Sequence, residues 1–304
     1  MLDQFLRERL VHGTIPVGKR RIAFLDLLLV VCITGAAVMM RAAIFGIFKE
    51  VGAISETLRL LYCILDFVLA IFLAVFVWKT TGQSLKAVGI YALAVIWPAI
   101  AGNSALNGGS EVILAVLLTG LLMIFAVQKN NSAKSFWLFT IAAALCQILQ
   151  GDGAGMKLTD YWPNIYTLFS ETGYYIEYGY TGKLLVIGIL MLIFYYISKK
   201  ELKVTAELLT ASGLFVTLFI SAFYPFMNYR SGLLANVFAL LLFVQNKKKF
   251  YVPMALCIIS YTSYGYAHGS EIDLVRWIYA LALIGLMLDA GVYFYRQLQK
   301  KETT

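Results

Sequence analysis

The chain is built from apolar blocks close to twenty residues long, separated by short charged connectors. About 20 residues rising 1.5 Å each cross the hydrocarbon core of a bilayer, so this spacing admits little besides a bundle of membrane-spanning helices. Composition agrees with the pattern: 61% of the 304 residues are hydrophobic, 14% are charged and mean hydropathy is +0.78. A soluble domain runs near roughly 45–50% apolar and about 25% charged. A water-soluble chain of this size has no interior large enough to bury the excess. No strand alternation runs long enough for a β-barrel. The expected class is an all-α integral membrane protein, a single polytopic domain over 1–304.

The blocks give about ten candidate spans, at 22–40, 57–78, 87–103, 111–128, 135–150, 183–198, 204–223, 231–246, 251–267 and 274–295. Every second connector is basic. Arg7, Arg9, Lys19, Arg20 and Arg21 precede the first span; Lys79 with Lys86, Lys129 with Lys134, Lys199 to Lys203, Lys247 to Lys249, and Arg296 to Lys301 follow in alternation. The positive-inside bias then predicts both termini on the cytoplasmic side. The same clustering makes the net charge of +8 a topology signal and argues against a nucleic-acid surface. Residues 1–21 form a cytoplasmic lead-in without the character of a cleavable signal. Within it Leu2, Phe5, Leu6 and Leu10 suit either a short helix on the inner leaflet or an unstructured lead-in. Residues 297–304 read as a cytoplasmic tail.

Acidic residues lean to the other face: Glu50, Glu56, Glu111, Asp152, Asp160, Glu171, Glu177, Glu271 and Asp273 fall on outer segments or outer helix ends. The longest outer segment, 151–182, is rich in glycine and aromatic residues and too long for a mere connector. Functional chemistry is expected there. The four cysteines lie inside apolar blocks, as small packing residues do. His12 and His268 have no ligand cluster around them, so no metal site is visible. A divalent cation is left open and no other cofactor is implied.

Three stretches carry a hypothesis. Trp97-Pro98 ends the third span, and Asn103-Ser104-Ala105-Leu106-Asn107-Gly108-Gly109-Ser110-Glu111 opens the fourth. This is either a well-capped turn or an anion-favouring helix start. Asp160-Tyr161-Trp162-Pro163-Asn164-Ile165-Tyr166 lies in the long outer segment; such aromatics serve as interface anchors or as a platform for sugar rings. Tyr224-Pro225-Phe226-Met227-Asn228-Tyr229-Arg230 follows the seventh span. An isolated arginine on the outer boundary suits a phosphate headgroup, or a salt bridge to a carboxylate such as Glu111. On the second span Arg59 and Asp66 are spaced to share a helix face, with Asp66 expected to be a packing or pairing group.

These stretches resemble the bacterial branch of the GT-C glycosyltransferases, similar to GPI-anchor mannosyltransferases. Pro98 with Asn103 to Glu111 resembles that family's Pro, then Asn-Ser-Ala-x-Trp-Gly-Gln-x-Asp. Tyr161 to Tyr166 resembles its Asn-x-Pro-Asn-aromatic stretch, and Tyr224 to Arg230 its Leu-Pro-x-Met-His-Glu-Arg-Tyr. The likeness covers about residues 57–268. It departs at Gly109 and Glu111, where the family has Gln and Asp, and at Asn228-Tyr229, where it has His-Glu. The first outer loop, 41–56, is short, and a helix pair after Gln147 to Gln150 is missing.

The resemblance implies an enzyme moving a sugar from a polyprenyl-phosphate donor to a glycan or lipid acceptor on the outer face. Glu50 and Glu111 are then the candidate catalytic carboxylates. Arg230 would hold the phosphate, with Asn103, Trp162, Asn164, Tyr166 and Asn228 binding or positioning substrate. The departures support two further readings: a non-catalytic subunit of a polysaccharide assembly complex, working with a partner chain, or a flippase or polymerase of lipid-linked glycans.

Overall fold

A computed structural model of the chain describes residues 13–17, 20–47, 56–107, 111–127, 133–151, 158–168, 175–200, 202–267 and 276–300. Glu50, both histidines, the 2–10 stretch and residues 108–110 lie outside the described residues. A short antiparallel hairpin, β1 (Thr14–Val17) with β2 (Arg20–Ala23), leads directly into α1 (Phe24–Ile47). Helices α2 (Glu56–Thr81), α3 (Ser84–Ile96), α4 (Pro98–Asn107), α5 (Glu111–Val127) and α6 (Ala133–Gly151) follow. After them come β3 (Thr159–Asp160), a 3-10 turn (Ile165–Leu168), α7 (Tyr175–Ser198) and α8 (Ala206–Phe223). The chain then forms β4 (Met227–Asn228), α9 (Leu233–Gln245), a 3-10 turn (Lys247–Lys249), α10 (Tyr251–Ala267) and α11 (Arg276–Leu298).

Each apolar block read from the sequence folds as helix, and the third is broken. Around Trp97 α3 and α4 meet at 48°. The cause is local: Pro98 offers no N–H and pushes the preceding residue out of helical geometry, and Trp97 is extended at φ −65°, ψ 120°. Pro98 is well placed as the first residue of α4, where its missing donor is not needed. Among the described residues six helices are long and apolar enough to cross a membrane, or seven with the bent pair taken as one span; α5 and α9 are shorter apolar helices. This is the architecture of an all-α membrane protein. The hairpin was not foreseen, because two four-residue strands are too short to show a period of their own.

The core lies around α8 and α9. Every residue from Leu208 to Ala222, and from Leu233 to Leu242, is buried. Close approach depends on Gly213, where an added Cβ would sit 2.8 Å from the ring of Phe238. Thr210 and Thr217 satisfy their hydroxyls on carbonyls one turn back, at 2.9 and 2.8 Å, so both can be buried.

The bundle has two different ends. At one, the ends of α2, α9 and α11 and the starts of α3 and α8 surround a cavity lined by Lys86, Lys203 and Lys300. The opposite end gathers the ends of α4, α6 and α8 with the starts of α5 and α9. All three candidate stretches are there.

Candidate functional site

The site grows out of the two breaks in the helical pattern. The break at Trp97 turns α4 so that Asn103 and Ser104 are wholly buried. The second break is Tyr224 to Gly232, between α8 and α9. Here β4 pairs in parallel with β3, setting Thr159 beside Met227 and Asp160 beside Asn228. Tyr161 and Phe226 flank this junction with φ of 61° and 63°, a left-handed conformation that side chains seldom adopt. Phe226 is held there by its N–H, which donates to Leu158 O at 2.7 Å, and by its ring against Gly179 of α7.

Arg230 follows from this loop. The Asn228 Oδ1 accepts from Arg230 N at 2.9 Å, while its Nδ2 donates to Gln150 O at 3.1 Å, which fixes the loop to the end of α6. The guanidinium donates to the Tyr229 hydroxyl at 3.0 Å and lies 3.9 Å from Glu111 Oε1 at the start of α5. Glu111 is nearly enclosed, with 8% of its side chain exposed, whereas Arg230 keeps 27% and is reachable. Tyr229 meets Tyr264 of α10 edge-on at 6.1 Å, and Tyr264 donates to Ala99 O at 3.1 Å, returning to the first turn of α4.

Asn103, Glu111 and Arg230 leave polar atoms unmet. Asn103 lies beside Glu111, close enough to act on its carboxylate, yet among the described residues neither atom of its amide makes a well-formed hydrogen bond. Among the described residues Glu111 Oε2 and Arg230 Nε are buried without partners as well. Buried polar groups are nearly always paired, so a cluster of three such side chains marks a place where a polar ligand or water completes the bonding.

Trp162 and Asn164 take a different part from the one expected. Both are completely buried. Trp162 Nε1 donates to Ser221 O at 3.0 Å, and its ring fits against Gly232, where a Cβ would come within 2.5 Å. The Asn164 Nδ2 donates to Tyr224 O at 3.2 Å while Oδ1 accepts from Tyr166 N at 3.0 Å. These side chains form the wall that holds the Arg230 loop. Tyr166 is half-buried, its hydroxyl against Gly182 of α7, and burial raises its phenol above the usual value.

Directly behind the site is a buried ion pair. Arg41 of α1 meets Asp66 of α2 at 2.9 Å and donates to Val95 O at 2.8 Å, a carbonyl left open by the helix break. Ser104 donates to the other Asp66 oxygen at 2.6 Å. Asp66 is thus a pairing group, and its partner is Arg41 of another helix, although Arg59 shares its own helix. Seven residues put Arg59 about 10 Å further along α2, while α1 delivers a guanidinium at Asp66's own level. Sequence reasoning missed Arg41, Tyr229 and Tyr264. Arg41 had a signal, being a charge at the end of an apolar block; the tyrosines had none. Among the described residues no three His, Cys, Asp or Glu side chains gather as a metal ion would require.

Comparison with protein-family models, with curated proteins and with solved structures finds no match to this chain.

Proposed function

We propose that the chain is a glycosyltransferase of cell-surface glycan assembly, taking a sugar from a polyprenyl-phosphate carrier at the end of the bundle where Arg230 lies. The observation that carries this reading is the group of polar atoms on Asn103, Glu111 and Arg230 that are unmet among the described residues, around a guanidinium that remains reachable. In it all ten helical blocks are spans, the α3–α4 pair counting as one. The lysine-bearing end is cytoplasmic by the positive-inside bias, and the site faces outward in the cell membrane.

The chemistry assigned to the site is an inverting displacement. A carboxylate takes the acceptor hydroxyl's proton, the oxygen attacks the anomeric carbon, and the bond to the phosphate oxygen breaks with its electrons. Arg230 stabilises the leaving phosphate, for which its planar fork is well shaped. Glu111 is the carboxylate within reach of that cation, and Asn103 orients it. Trp162, Asn164 and Asn228 hold the loop in place.

The test is transfer of radiolabelled sugar from a polyprenyl-phosphate donor by purified full-length protein in detergent. Arg230→Gln is expected to lower transfer by about 10²–10³ while the protein stays monodisperse, and Glu111→Gln by roughly 10²–10⁴. Normal transfer by Arg230→Gln would end the proposal. One observation favours a second reading, a non-catalytic subunit that binds lipid-linked phosphate: Glu111 already faces Arg230 at 3.9 Å. In that case wild-type protein binds the carrier without transferring sugar, and Glu111→Gln binds it as well as wild type.

A further inference from the structure

Three polar groups around the Trp97 break are taken up by side chains from other helices. Ahead of it, Val95 O accepts from Arg41 of α1 at 2.8 Å. At the break, Trp97 Nε1 donates to Asn236 Oδ1 of α9 at 3.0 Å. Just past it, Ala99 O accepts from the Tyr264 hydroxyl of α10 at 3.1 Å.

Two of these side chains run on to the Arg230 loop. Asn236 is wholly buried. Its Nδ2 donates to Gly232 O at 2.9 Å, where the loop enters α9, and to Ser260 Oγ of α10 at 2.8 Å. One amide therefore joins the helix break, the end of the loop and α10. Tyr264 follows Ser260 by four residues, on the same face of α10. Its ring meets Tyr229 edge-on at 6.1 Å, and the Tyr229 hydroxyl accepts from Arg230 at 3.0 Å. Gly232 leaves no slack at this junction: an added Cβ would sit 2.5 Å from both Ser260 Oγ and the Trp162 ring. Satisfied polar networks in a low-dielectric interior rigidify the elements they connect.

What is held rigid is a separation. A guanidinium and a carboxylate in direct contact lie about 2.7–2.9 Å apart, whereas Arg230 and Glu111 stand at 3.9 Å. Opposite charges this close attract strongly in a partly buried site, and a loop free to move would close the gap. Asn103, one turn past Ala99, lies beside Glu111. The two bridges thus run from the surroundings of one charge to those of the other.

We infer that Asn236 and Tyr264 are positioning residues that hold Arg230 off Glu111, keeping the guanidinium open to an anionic ligand in place of its carboxylate neighbour. Both act through the Tyr224 to Gly232 loop. The inference concerns the two charged groups alone, so it stands or falls separately from sugar transfer.

The test reads Arg230 directly and uses no donor. Full-length protein in detergent is labelled with phenylglyoxal, which modifies accessible guanidinium groups. The rate at Arg230 is followed by peptide mass spectrometry, with exposed Arg296 as the reference. Tyr264→Phe removes the bond to Ala99 O and keeps the ring. Asn236→Leu keeps a side chain of similar size and removes its bonds to Trp97, Gly232 and Ser260. In both variants Arg230 closes onto Glu111, and its labelling is expected to slow roughly threefold or more relative to Arg296. Loosened or unfolded protein labels faster, so destabilisation does not mimic this result. Adding Glu111→Gln to either variant should return Arg230 to the rate seen with Glu111→Gln alone. Gly213→Ala, a core change midway along α8, should leave the ratio within about twofold of wild type. If Asn236→Leu is not recovered folded, Tyr264→Phe decides alone. Unchanged or faster labelling of Arg230 in either folded variant, a fall that Glu111→Gln does not reverse, or an equal fall in Gly213→Ala would overturn the inference.

Discussion

Helices α1 and α8 are both apolar enough to cross a membrane, yet 17% of the apolar stretch of α1 is buried and 83% of that of α8. Helix α1 turns Leu25, Leu27, Leu28, Val31 and Met39 outward. Helix α8 carries Thr210, Ser212, Gly213, Thr217 and Ser221 along its length, all buried. In water the more hydrophobic element goes to the centre. In lipid the acyl chains accept leucine as readily as another helix does, so that preference disappears. Close backbone approach and hydroxyls that bond within the helix decide instead. Helix α7 behaves like α1, with 17% of its apolar stretch buried and Leu184, Met191 and Leu192 exposed.

The contrast can be broken from the α1 side. Arg41, buried against Asp66, should matter more than all the exposed leucines of α1. Arg41→Ala strands Asp66 among apolar helices and should destabilise the protein by about 3–5 kcal/mol, measured by reversible unfolding in micelles. Replacing Arg41 and Asp66 together by leucine should cost less than Arg41→Ala alone, because no unpaired charge is left. A double variant as damaged as the single would show that the pair is not what joins α1 to α2.

Glycine substitutions sharpen the same contrast at smaller amplitude. Gly213→Ala on α8 places a Cβ within 2.8–3.0 Å of three Phe238 ring atoms and should destabilise by roughly 1–3 kcal/mol. Gly188→Ala on α7 meets nothing within 4 Å and should be neutral or stabilise by about 0.5–1 kcal/mol through helix propensity. Equal effects at the two positions would mean that α8 is not packed as the core. At the bottom of the scale, Leu192→Ala on the exposed face of α7 should stay within about 0.5 kcal/mol of wild type.

Much of the candidate site could be read in advance as segments, and less of it as roles. Asn103 to Glu111, Tyr161 to Tyr166 and Tyr224 to Arg230 were singled out by turn residues and by a lone arginine, and the fold brings all three to one end. Trp162 and Asn164 looked like groups facing a sugar, but Ser221 and Tyr224 carbonyls take up their donors. Asp66 was read as a packing or pairing group, but the sequence did not name its partner, Arg41. These gaps have one cause. Spacing along a helix shows which side chains share a face, and says nothing of what the neighbouring helix presents to that face.

What the sequence determined by itself is what depends on short-range order and bilayer thickness. The apolar blocks that become helices, the break at Trp97 and Pro98, and the confinement of the basic connectors to alternate turns all follow from runs of about 20 residues or fewer. The tertiary structure alone decided which helix is central, that Arg41 reaches Asp66, and that Glu111 lies 3.9 Å from Arg230 across 119 positions of chain. Those outcomes rest on contacts between surfaces of nearly equal hydropathy. Between such surfaces only shape and hydrogen-bond geometry discriminate, and neither is written in any single segment.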